Sequence, residues 1–125
     1  MTPKEVVAAF WDAMATNDFA AASNWLSPDF KGAWPQSNEL ITGRANFAAI
    51  NTAYLAAGRW QFDVQAIVSD GDTDVTDVAI TDGQIKTRAL TFHTVKGGLI
   101  THHREYWPDD YPAPEWRAKW VSTLD

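Results

Sequence analysis

The chain has 125 residues, enough for one domain with a substantial buried core. A net charge of −6 without any cluster of Lys and Arg argues against nucleic acid and anionic membranes as partners. The absence of cysteine excludes a disulfide framework and thiol catalysis, while seven Trp, six Phe and three Tyr point to an aromatic core, an aromatic-lined cavity or an apolar interface.

The opening "MTPKEVVAAFWDAM" has no basic segment followed by a long apolar run, so no signal peptide is expected. No stretch approaches the roughly 18 apolar residues of a membrane span, and a soluble cytoplasmic protein is the expectation. Thr2 caps a first helix, with Pro3 at its first position and Glu5 three residues after the cap. Val6, Val7, Phe10, Trp11 and Met14 recur at helical spacing. "TND" interrupts, Asn17 or Asp18 caps a second helix carrying Phe19, Ala22, Trp25 and Leu26 inward, and Ser27-Pro28 stops it.

"FKGAWPQSNELITG" reads as a loop with room for a short strand on either side of Pro35. "GRANFAAINTAYLAAG" reads as a third helix, with Phe47, Ile50 and Tyr54 on one stripe and Gly58 behind its end. From Arg59 the apolar period falls from 3.6 to about 2. Four strands follow, "RWQFDVQAIVS", "TDVTDVAIT", "QIKTRALTFHTV" and "LITHHREYWP", joined by turns suited to antiparallel hairpins. The tail "DDYPAPEWRAKWVSTLD" starts Pro-rich and ends in a short helix. Its rings, Tyr111, Trp116 and Trp120, are expected to be buried over a sheet edge or a partner. Helices first and a strand meander afterwards make the fold class α+β, one curved antiparallel sheet packed against three N-terminal helices.

The order of these elements, with "ND" at 17–18, "FKGAWP…ITGRANF" and "GGLITHHREYW", resembles the nuclear-transport-factor-2-like superfamily, and within it the SnoaL-like relatives of polyketide cyclases and ketosteroid isomerases. The resemblance covers nearly the whole chain as a single domain over residues 1–125. It implies a cystatin-like cone, a pocket between the first helices and the concave sheet, a polyketide- or steroid-like apolar small molecule as partner, and a homodimer formed through the sheet. Set against the ketosteroid isomerases, the base position falls on Trp34, the first-helix tyrosine on Phe10 and the strand aspartate at or near Leu90, so that activity is not expected. Of the epoxide-hydrolase set, Glu105 and Asp77 match two acids, but Lys31 and Ala33 replace the water-holding residues. The SnoaL-type cyclases imply one retained role: Glu105 stands where their last-strand base stands, and His103 precedes it by two.

Alternation on the last strand places Leu99, Thr101, His103, Glu105 and Trp107 on one face, and Ile100, His102, Arg104 and Tyr106 on the other. The resemblance assigns the Glu105 face, together with Leu90 and Phe92, to the cavity. Pairing Thr81 with Gln84 in a tight hairpin sets Asp77 opposite Arg88 on the same face as Leu90. The expected site is a polar strip of Asp77, Arg88, His103 and Glu105. Its expected wall is Phe10, Met14, Trp34, Tyr54, Phe62, Leu90, Phe92 and Trp107. In it Glu105 acts as a general acid or base, His103 orients or shares its proton, and Arg88 holds it ionised or meets an anionic substrate group. Three alternatives stay open: an ordinary cross-strand ion pair at Asp77–Arg88, a non-catalytic domain that binds or senses an apolar ligand, and a scaffold whose cone is filled by its own side chains. No metal or cofactor is expected.

Overall fold

Helix α1 (Pro3–Ala15) starts with reciprocal capping. Thr2 Oγ1 accepts from the Glu5 N–H at 3.2 Å, and Glu5 Oε1 accepts from the Thr2 N–H at 2.9 Å. Two donors that a helix start leaves orphaned are thereby satisfied. Its apolar stripe, Val6, Val7, Phe10, Trp11 and Met14, is buried. The computed structural model describes Met1 to Leu124, so Asp125, the end of the expected domain, lies outside the described residues.

Asp18 caps α2 (Phe19–Ala22) by accepting from the Ala21 N–H. This helix is shorter than its spacing suggests. A 3-10 turn over Ser23–Trp25 follows, and Leu26 already opens strand β1 (Leu26–Trp34). Ser27 and Pro28 therefore sit inside a strand instead of ending a helix. Pro28 fits there because the ladders are interrupted: β1 meets β6 (Leu99–Tyr106) at Leu26 and again only from Lys31, and meets β2 (Glu39–Thr42) only from Lys31.

Helix α3 (Arg44–Ala53) stops before its expected end, and Tyr54 leaves it in extended conformation. The hairpin between β4 (Thr73–Thr81) and β5 (Lys86–Lys96) draws the chain away. Asp82 Oδ2 accepts from the Ala57 N–H at 2.9 Å, and its Oδ1 accepts from the N–H groups of Gln84 and Ile85. A Cβ on Gly58 would stand 3.0 Å from the Asp82 carbonyl oxygen, so any larger residue would push the loop and the hairpin apart by a few tenths of an ångström.

With β3 (Gln61–Asp70), the strands form one curved sheet in the order β2-β1-β6-β5-β4-β3. The expected meander β3 to β6 is antiparallel throughout, and the sheet is mixed because β1 runs parallel to β6. The fold is α+β, with the helices on the concave face, where Val78, Ile80, Ala89, Val95 and Ile100 meet the α1 stripe. No described helix is long and apolar enough to cross a membrane.

One bulge decides which side chains enter the cone. From the Gly97-Gly98 turn, Lys96 pairs with Leu99 and Val95 with Ile100, but Thr94 pairs with His102. Thr101 is the extra residue. A one-residue slip sends every following side chain to the opposite face relative to its partner strand. Continued without the slip, the ladder would set Phe92 opposite His103 and Leu90 opposite Glu105. With it, His93 faces His103 and Thr91 faces Glu105.

The bulge corrects four site expectations. Leu90 and Phe92 lie on the outer, convex face, partly exposed, with Asp77 and Arg88 beside them. The β4–β5 loop is also two residues longer than a tight hairpin, so Thr81 pairs with Lys86 and Asp77 with Leu90. A shift of two preserves the face. Asp77 and Arg88 still meet diagonally, at 2.6 and 2.9 Å, as an exposed ion pair outside the cone. Within β6 itself the bulge brings Ile100, expected outward, fully into the core. The tail departs as well: Tyr111, Trp116 and Trp120 are 74%, 73% and 69% exposed, and the 3-10 segment Glu115–Trp120 buries no ring.

Candidate functional site

The concave face opens into a vestibule of about 270 Å³, lined by Phe19, Trp34, Asn51, Tyr54, Leu55, Trp60, Phe62, Ile80, Ile85, Thr87 and Trp107. Behind it lies a recess of about 30 Å³. The two share Trp34, Asn51, Phe62, Ile80 and Trp107, and the recess ends among Phe10, Met14, Phe30, Gly32, His103 and Glu105. Gly32 matters here, because a Cβ on it would come within 3.0 Å of the Phe30 ring. That ring in turn packs edge-on against His103 at 4.9 Å. Asn17 sets the outer wall: its side-chain amide clamps Trp60 at two points, donating to the carbonyl and accepting from the N–H, both at 2.8 Å.

Glu105 is held by three neighbours. Its Oε1 accepts from the indole N–H of Trp34 at 3.0 Å and of Trp107 at 3.1 Å, and its Oε2 accepts from Thr91 Oγ1 at 2.6 Å. Burial among the rings raises its pKa above the usual carboxylate value, and the three donors moderate the rise. An acid so placed has one open acceptor position, no cation beside it among the described residues, and a proton affinity moved toward neutrality. Such a group can take a proton from a ligand, or return one.

His103 is joined to a different chain. Trp11 Nε1 donates to Thr76 Oγ1 at 3.2 Å, Thr76 Oγ1 meets His93 Nε2 at 2.8 Å, and His93 Nδ1 meets His103 Nε2 at 2.8 Å. Phe10, Phe30 and Phe47 stand edge-on around His103 at 5.3, 4.9 and 6.1 Å. Burial in this cage pushes His103 down to about 3 and drives His93 well below its ordinary value, His103 adding to the latter effect. Both rings are neutral at pH 7.

The cone thus brings together Glu105, His103, Phe10, Met14, Trp34, Tyr54, Phe62 and Trp107, while Asp77, Arg88, Leu90 and Phe92 stay outside. Arg88 cannot hold Glu105 ionised, and borders an outer groove with Lys86, Asp63 and Asp109. His103 makes no hydrogen bond to Glu105; Thr91, Trp34 and Trp107 do that work. Thr91, His93, Thr76 and Asn51 escaped the sequence reading. Alternation in "ALTFHTV" carries the first two on one face, but the resemblance assigns Leu90 and Phe92, on the other face, to the cavity.

The SnoaL-like domain family matches residues 7–103, and the chain belongs to it. The match accords with the helix-closed cone and supports a small-molecule-binding or isomerase-like role. Among solved structures, a candidate ketosteroid isomerase from Kribbella flavida DSM 17836 is 26% identical, with a TM-score of 0.90 over 98% of this chain and 90% of that one. A nuclear-transport-factor-2-like protein of unknown function from Burkholderia xenovorans LB400 is 29% identical, with a TM-score of 0.81 over 98% and 95%. An epoxide hydrolase from M. tuberculosis, 21% identical with a TM-score of 0.69 over 85% and 82%, shares the fold. No curated protein matches the chain.

Proposed function

We propose that the protein binds an apolar small molecule in the cone and acts on it without a cofactor, as an isomerase, cyclase or lyase in which Glu105 moves a proton. The observation that carries this reading is the placement of Glu105: a carboxyl with a raised pKa, braced by two indoles and a threonine, at the inner end of an apolar cavity. The narrow recess suits a small polar head such as a carbonyl, and the vestibule suits the apolar body behind it. Similarity to a candidate ketosteroid isomerase supports proton transfer beside a carbonyl as the reaction type. The residues differ from that activity's usual set, with Trp34 and Phe10 in two of its polar positions, so the steroid substrate itself is not carried over.

The test is deuterium exchange at the α-carbon of aryl ketones in D2O, followed by NMR. Glu105→Gln keeps the side-chain shape and removes the base. Exchange catalysed by the native protein and abolished in Glu105→Gln is the expected result. Exchange that persists in the variant sinks the assignment. Ketone binding without exchange in either protein favours a non-catalytic ligand-binding domain, the reading supported by the predominantly apolar vestibule.

A further inference from the structure

The buried histidine pair has a direction, and it follows from counting hydrogens. Trp11 Nε1 is only a donor, so Thr76 Oγ1 accepts from it. The Thr76 hydroxyl hydrogen then needs an acceptor of its own. Thr76 is fully buried, and among the described residues His93 Nε2 is the one acceptor within reach. The opposite arrangement, with His93 Nε2 donating to Thr76, would strand that hydroxyl hydrogen in the core without an acceptor, a costly loss for a buried polar group. His93 Nε2 is therefore the bare nitrogen and Nδ1 carries the hydrogen. His93 Nδ1–H donates to His103 Nε2, which fixes the His103 hydrogen on Nδ1.

Among the described residues His103 Nδ1 has no hydrogen-bond partner, yet it is not one of the sealed polar atoms without partners, which are Ser27 Oγ and Asp74 Oδ2. His103 lines the recess. We infer that the relay Trp11–Thr76–His93 locks His103 as a neutral N–H donor aimed into the recess, so that the cone selects ligands carrying a hydrogen-bond acceptor, such as a carbonyl oxygen, at that point. Thr76 and His93 are positioning residues, acting through His103. The inference deepens the proposed function and rests on it for its ligand half; the tautomer half stands on the geometry alone. His103 and Glu105, two apart on one strand face, would then address one head group from two sides, one donating and one accepting.

The tautomer is read by long-range 1H–15N NMR of the imidazoles in the ligand-free protein. Native His103 should show Nδ1 protonated and Nε2 bare. His93→Gln, whose amide can still donate, should keep that pattern, and His93→Leu should release the hydrogen to a mixture of both nitrogens. A native His103 protonated on Nε2 overturns the relay, and so does a His93→Leu spectrum identical to native. Should His93→Leu not fold, the native and His93→Gln spectra decide. For the ligand half the probes are acetophenone and α-methylstyrene, equal in shape but with only the first carrying an acceptor. Acetophenone should bind about tenfold more tightly and shift the His103 Nδ1–H resonance. Equal binding with no shift overturns the selectivity while leaving the tautomer standing. Failure of both probes to bind counts against the cone as a ligand site, whatever the tautomer.

Discussion

Glu105 and Asp77 are both acids on strands of one sheet, and the face each occupies gives them opposite physics. Glu105 points into rings, so burial raises its pKa. Asp77 points outward beside Arg88, whose guanidinium lowers it. The outer pair lies at the surface, Arg88 exposed and Asp77 partly so, where solvent screens its attraction. Arg88→Ala and Asp77→Ala are therefore expected to leave the melting temperature within about two degrees of native. Any Glu105-dependent turnover should be unchanged as well. Loss of turnover in either variant would return these residues to the site.

At the scale of elements, two local devices shape the cone. The Thr101 bulge turns Thr91 and His93 toward Glu105 and His103. Asp82 ties the α3–β3 loop to the β4–β5 hairpin through three backbone donors, which hold its carboxyl below the ordinary range. That tie positions Tyr54, Leu55 and Ile85 at the vestibule mouth. Asp82→Ala should lower the melting temperature by several degrees and raise amide exchange in residues 54–58 and 82–85 above native, with protection of α1 unchanged. Unaltered exchange in those segments would show the tie to be incidental. The first helix was legible in full because its cap, proline and apolar stripe are local signals. α2 and α3 were legible at their starts and misjudged at their ends, since tertiary partners such as Asp82 ended the latter.

For the whole molecule, the buried histidines link folding to pH. The folded pKa of His103, about 3, lies below the unfolded value near 6.5, and His93 is depressed in the same direction. Their contribution to stability is complete above pH 6.5 and is lost as pH falls toward 3, because the unfolded chain binds the protons. Each net proton multiplies the unfolding constant by about ten per pH unit. Glu105, raised in the fold, works the other way: it loses stability as pH climbs from 4.5 through its folded pKa, which moderates the histidine slope in that interval. Denaturant midpoints measured from pH 8 to 4 should fall, with a shallower fall in His103→Gln. Midpoints independent of pH, or identical slopes in the two proteins, would contradict the buried neutral pair.

The amino-acid sequence by itself determined the first helix with its cap, the strand meander and the presence of an acid and an imidazole on one stretch of the last strand, because period, capping and turn chemistry are short-range signals. Only the tertiary structure decided what stands across from them. Strand partnership depends on register, and a single extra residue at Thr101, invisible to alternation within β5, exchanged Leu90 and Phe92 for Thr91 and His93 and sent Asp77 and Arg88 to the outside of the cone.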